Sequence, residues 1–212
     1  AAHVFDEIGK GNDLYFYIKP NQKRYLKGKA LITKPPIGQP RADDKLDLGV
    51  LQLQGEGLPP YVEVGKVAAP ISYLVPYALP RENKIYLLAG YPATKSKVTR
   101  PRNIVQSQPW GHIGHSVPSA DYTSLGVDAT RNIAIVFDKK RSVGTSLQRQ
   151  TAPDPYGMSG CPVLLLYDEM GIYNQAQVQI VGIGIEYRGR SKKALLATDI
   201  GLALDLITVA ST

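Results

Sequence analysis

Ser159 stands in the run Asp154-Pro155-Tyr156-Gly157-Met158-Ser159-Gly160-Cys161-Pro162, directly ahead of the apolar stretch Val163-Leu164-Leu165-Leu166. A buried strand accounts for the apolar stretch but not for the Gly-x-Ser-Gly before it. One reading is a plain turn into a core strand. The other is a nucleophile whose neighbouring backbone amides face a substrate oxygen. Acyl transfer by a serine needs a hydroxyl, a base to take its proton, and a carboxylate that fixes the base's tautomer and stabilises its cation. It also needs amide donors for the oxyanion. Ser159 offers the hydroxyl. Gly157 lets the backbone turn so that the amides of Gly157 and Ser159 converge, and Gly160 leaves room for the acyl group.

Two distant residues could complete the set. His3 lies in Ala1-Ala2-His3-Val4-Phe5, where two alanines allow tight burial beside a cleft, although an isolated histidine is more often structural. Asp47 lies in Asp47-Leu48-Gly49-Val50-Leu51-Gln52-Leu53, at the mouth of a strand pattern, where a carboxylate is unexpected unless something pairs with it. Asp43 and Asp44 precede it and read as loop residues.

The elements that must hold these side chains are mostly strands. Apolar and aromatic runs over residues 14–18, 46–53, 84–89, 131–138, 162–167, 178–187 and 194–198 are each bounded by turn residues. Glycine (20) and proline (16) are plentiful, which favours many turns over long helices. Residues 59–80, rich in proline and tyrosine, read as an extended connection, with a hinge over 72–81. Leu202, Leu206 and Val209 fall at helical spacing behind Asp199, a candidate cap, so one helix is expected over 200–209. The pattern predicts an all-β sandwich or barrel with a short C-terminal helix.

Bulk properties narrow the function classes. The 212 residues are 43% hydrophobic and 20% charged, enough for one large or two small domains. The net charge of +7 is spread over three clusters, around Lys95–Arg102, Lys139–Arg141 and Arg188–Lys193. Solvated loops are the plain reading of these clusters. Nucleic-acid binding is disfavoured, because no aromatic-basic interleaving accompanies the charge. The single cysteine, Cys161, excludes an intrachain disulfide and a cysteine zinc cluster, and slightly favours a reducing, cytoplasmic compartment. No run reaches membrane-spanning length. The chain opens apolar, without Met, as the middle of a domain would, which is compatible with a native N-terminus further upstream.

In combination, the three motifs resemble those of the trypsin-like, chymotrypsin-fold serine proteases. The order His, Asp, Ser is that family's. His3 matches the histidine of its Ala-Ala-His motif, and Asp47 the aspartate of its Asp-Leu/Ile-Ala-x-Leu motif, with Gly49 in place of alanine. Ser159 matches the serine of Gly-Asp/Asn-Ser-Gly-Gly-Pro. The resemblance covers nearly the whole chain. It implies two antiparallel Greek-key β-barrels, residues 1–78 carrying His3 and Asp47 and residues 79–212 carrying Ser159. The first barrel lacks its N-terminal strands. It also implies a serine endopeptidase with a polypeptide substrate and no cofactor or metal, with Gly157 and Ser159 as the oxyanion hole.

The departures refine the expectation. Met158 replaces the aspartate with which secreted digestive members bind a newly cut N-terminus, so the chain resembles bacterial or intracellular types. Cys161 replaces the second glycine and reads as a small buried residue. The family's base-of-pocket position corresponds to Pro153, with Asp154 adjacent. The stretch Ile180–Glu186, with Gly184, Ile185 and Glu186, resembles one wall of the primary pocket. An uncharged substrate side chain is therefore expected there. Tyr156 is expected on the rim. His112 and His115 form a His-x-x-His pair without an obvious third metal ligand, and a loop near the cleft is expected around them. A protease-like domain that binds peptides without cutting them is the alternative from another class.

Overall fold

Over Asn132–Val136 and Ala194–Asp199 nearly every side chain is buried, so both faces of these strands must be covered. They form one end of an antiparallel sheet whose strands run, from the other end, β8 (Trp110–His115), β5 (Ile85–Gly90), β12 (Pro162–Asp168), β14 (Gln179–Arg188), β15 (Ala194–Asp199) and β9 (Asn132–Val136). A two-residue strand, Gly171–Ile172, extends the sheet as a hairpin partner of β12. The computed structural model describes residues 2–9, 15–19, 22–53, 69–76, 80–99, 104–143, 149–168, 170–172, 178–189 and 193–211.

The two faces separate with period two, as strand geometry requires. Ile133, Ile135, Leu195 and Ala197 join Tyr86, Leu88, Val163, Leu165 and Val181 in one core. Ala134, Ala194 and Leu196 face the other way, against Val117, Tyr122, Leu125 and Ile185. Each fully buried aliphatic side chain contributes about 1.5–3 kcal/mol. Register shifts at Val163/Leu164 and Gly184/Glu186 bend the strands, as bulges do. The sheet consequently curls into a half-barrel whose end strands approach each other. Ser116 bridges Ile135, and the Val117 amide donates to the Ala134 carbonyl at 2.9 Å.

The chain ahead of this sheet differs from the expected first barrel. Its described residues form a helix (Ala2–Gly9) and two hairpins. One hairpin pairs β1 (Tyr15–Lys19) with β2 (Gln22–Tyr25), the other β3 (Gly28–Ile32) with β4 (Gly49–Leu53). His3 thus sits on a helix, where a strand-built barrel was expected. Ala2 and Phe5, one turn apart, turn inward: Ala2 is fully buried, and a Cβ at position 49 would run into the Phe5 ring. That contact explains glycine where the resembled motif has alanine. Further hairpins pair Ser96–Thr99 with Ile104–Ser107 and Ser142–Val143 with Arg149–Gln150.

Most of the connection at 59–80, namely residues 59–68 and 77–79, lies outside the described residues. The part described, expected as extended chain and hinge, is a short 3-10 turn at Ile71–Tyr73 pinned to β14. The Val75 amide donates to the Ile180 carbonyl at 3.0 Å. The C-terminal helix runs over Ile200–Ser211 and packs Ile200 and Ala203 on Leu48. Its predicted cap is present, since Asp199 Oδ1 accepts from the Gly201 amide at 2.7 Å. No helix among the described residues is long and apolar enough to cross a membrane.

Candidate active site

A helix start leaves its first amides without intrahelical partners. Here Asp47 takes them, reaching across 44 positions of sequence. The Ala2 amide donates to the Asp47 carbonyl at 2.6 Å, and the His3 amide donates to Asp47 Oδ1 at 2.8 Å. The other carboxylate oxygen, Oδ2, lies 2.5 Å from His3 Nδ1. Asp47 adopts φ +40, a left-handed conformation that aspartate tolerates better than most residues. Both oxygens of one carboxylate therefore hold one histidine, by its amide and by its ring. With Nδ1–H donating to Asp47, the neutral ring presents the lone pair of Nε2. Among the described residues Nε2 has no hydrogen-bond partner. The imidazole is half exposed (46%), while the Asp47 carboxylate is largely sheltered (14%).

Ser159 lies on the turn between Gly157 (φ +87) and Gly160 (φ +90), both in the left-handed region that glycine enters without strain. The amides along this turn alternate in use. Those of Tyr156, Met158, Gly160 and Cys161 donate to Asp154 Oδ1 and to the carbonyls of Pro155, Gly184 and Met158, at 2.7–3.1 Å. Among the described residues, the amides of Gly157 and Ser159 have no acceptor. The Ser159 hydroxyl donates to the Ile185 carbonyl at 2.9 Å.

His3 and Ser159 line one cavity of about 450 Å³. Gly184, Ile185 and Glu186 form part of its wall, and Leu88, Leu195 and Leu196 contribute apolar surface. Asp154 lines the cavity, whereas Pro153 is not among its lining residues; the turn brings its neighbours 154–159 to the cavity instead. Both acidic groups of the wall carry their own cation. Asp154 lies 3.4 Å from Lys139 Nζ, and Glu186 accepts from Arg188 at 2.5 and 2.8 Å. Tyr156 is 77% exposed at the rim.

Other singled-out residues are absorbed into the core. Met158 is buried, and burial pushes the Cys161 thiol up to about 11. A Cβ on Gly184 would stand 3.0 Å from Cys161 Sγ, so glycine there accommodates the larger side chain at 161. His112 and His115 lie on β8 and not in a loop. His112 Nε2 is 2.9 Å from the Val136 carbonyl, and its ring packs edge-on against Phe137. Three positions apart on a strand, the two histidines point to opposite faces. No group of three metal-ligating side chains occurs among the described residues.

Three residues around the His3–Asp47 pair, Arg41, Asp6 and Thr33, escaped sequence reading, and a fourth, Asp44, was read only as a loop residue. Arg41 binds both carboxylate oxygens of Asp6, at 2.7 and 2.8 Å, and its Nη1 reaches Asp44 Oδ2 at 3.0 Å and the Thr33 carbonyl at 2.5 Å. Thr33 Oγ1 donates to Asp44 Oδ2 at 2.7 Å. Asp44 is buried at 8% exposure and is no ordinary loop residue. Asp6 follows His3 by three positions, one helical turn, but that relation becomes visible only once the segment is known to be helical.

The chain matches no family model, and no curated protein matches it.

Proposed function

We propose that the chain is a serine endopeptidase, as its resemblance to the trypsin-like proteases implies. One observation carries the reading. A histidine held at two points by a sheltered carboxylate shares a cavity with a serine whose turn leaves two amides without acceptors among the described residues. In this proposal the Ser159 hydroxyl leaves the Ile185 carbonyl and donates to His3 Nε2. The oxygen attacks the substrate carbonyl while His3 takes the proton. Asp47 orients the imidazole and stabilises its cation. The amides of Gly157 and Ser159 receive the oxyanion, each worth about 3–4 kcal/mol to the transition state. His3 then protonates the leaving amine, and water resolves the acyl-enzyme. In this reading the curled sheet corresponds to the second of two barrels, and residues 1–78, which carry His3 and Asp47, to the first.

The substrate is a polypeptide with an uncharged side chain in the primary pocket. Apolar Leu88, Leu195 and Leu196 support this, as do wall carboxylates already paired with Lys139 and Arg188. A peptide-library profile dominated by cleavage after Lys or Arg would refute the preference.

A second reading, a protease-like domain that binds peptides without cutting them, is favoured by one detail: the Ser159 hydroxyl donates to Ile185 and not to His3. A fluorophosphonate probe separates the two. The hydrolase reading expects covalent labelling that disappears in Ser159→Ala. A folded chain that binds peptides yet takes no label belongs to the second reading.

A further inference from the structure

We infer that Arg41 is a positioning residue for the proposed base, the pin that locks the helix carrying His3 onto the segment carrying Asp47. The inference rests on the hydrolase reading for its consequence in turnover, but its geometry stands by itself. The His3–Asp47 pair joins two pieces of chain far apart in sequence, otherwise held by the Ala2 amide on the Asp47 carbonyl and by Phe5 against Gly49. One is an eight-residue helix, too short to persist alone in water. The other is a connecting segment whose Asp47 is held at positive φ. Arg41 meets both. Its planar fork takes the two oxygens of Asp6, one turn beyond His3 on the helix. Its Nη1 takes Asp44, three positions before Asp47, and the Thr33 carbonyl at the end of β3.

The partners are arranged for a guanidinium. Four acceptors lie in the directions of its planar donors, and only arginine meets a carboxylate through two parallel bonds. Arg41 also lines, with His3, Asp47 and Glu186, a second cavity of about 320 Å³ behind the pair. An arginine placed only to stabilise a surface would not need to bridge the elements that carry the base and its acid. Freed from the pin, the helix would slide relative to residue 47, and the two-point bond to the His3 amide and ring would loosen together.

The test compares Arg41→Ala, Arg41→Lys and Asp6→Asn with the parent chain. The expected outcome is a fall in kcat of about 100-fold with KM little changed, since misplacement of a catalytic group by about 1 Å has that effect. Arg41→Lys keeps the charge but loses the fork and stays impaired, whereas added guanidinium partly restores Arg41→Ala. The second readout needs no turnover. The strongly deshielded proton of His3 Nδ1–H bonded to Asp47 is expected in the parent NMR spectrum and absent from Arg41→Ala. Asp6→Asn, which keeps side-chain volume, replaces it if Arg41→Ala does not fold. An unchanged resonance in folded variants, or unchanged kcat, overturns the inference while leaving the hydrolase reading intact. A parent chain that takes no fluorophosphonate overturns the hydrolase reading instead, and the resonance still decides the pin.

Discussion

Gly157 shows how closely a single position is constrained. Its φ of +87 turns the chain so that its own amide and that of Ser159 find no acceptor among the described residues. A Cβ there would stand 3.0 Å from the Ala93 nitrogen and 3.1 Å from the Ala93 Cβ, so strain and crowding act together. Gly157→Ala is expected to slow fluorophosphonate labelling about 100-fold, the effect of losing one oxyanion donor. A stopped-time labelling series measures it, and an unchanged rate would remove Gly157 from the proposed oxyanion hole. Neither glycine nor serine could be assigned this role from residue type alone. The motif was legible because Gly-x-Ser-Gly before an apolar strand is an unusual way to begin one. Arg41, Asp44 and Asp6 were not legible, because their significance lies in contacts across up to 35 positions of sequence.

At the scale of elements, the junction of β15 with the C-terminal helix does two jobs with one carboxylate. Asp199 Oδ1 caps the helix at Gly201, and Oδ2 lies 2.5 Å from Nη2 of Arg81, a guanidinium only 1% exposed. Asn at 199 can still cap, but it takes the negative charge from beside a buried cation. Breaking a buried pair in this way costs about 3–5 kcal/mol, so Asp199→Asn is expected to lower the urea midpoint of unfolding substantially. A shift within the scatter of surface substitutions would show the pair to be energetically silent. The strands other than β8, which was expected as a loop, and this helix were readable because apolar runs of period two and a 3.6-residue repeat are local signals. The Ala2–Gly9 helix was not, because eight residues carry little periodicity and its cap, Asp47, comes from elsewhere in the chain.

At the scale of the molecule, two junctions decide whether the site exists. The segment carrying Asp47 lies on the curled sheet. Thr198 Oγ1 donates to the Leu46 carbonyl at 2.5 Å, Asn132 Nδ2 to the Lys45 carbonyl at 3.0 Å, and Leu48 is buried against Ile200 and Ala203. The other junction closes the sheet's ends, where the His112 ring on β8 reaches the Val136 carbonyl on β9. Burial holds the His112 imidazole below its ordinary value, with the Val136 carbonyl pulling the other way. The unfolded chain, with a histidine pKa of about 6.5, then binds the proton first. The stability contributed here is present above that value and is lost as pH falls through the lower folded value. Urea midpoints at neutral and mildly acidic pH test this. The parent's advantage over His112→Gln should shrink on acidification, and a constant gap would remove His112 as its source.

By itself the sequence determined what local pattern can encode: a mostly β chain, the strands of the curled sheet apart from β8, the capped C-terminal helix, and three chemically apt residues in a recognisable order. Where those residues lie relative to one another was decided by tertiary structure alone. Asp47 reaches His3 because an N-terminal helix lacks acceptors for its first amides, and Ser159 shares a cavity with His3 because bulged strands curl the sheet around it. Such contacts join positions far apart in the chain, and no periodicity or propensity within a short window carries information about them.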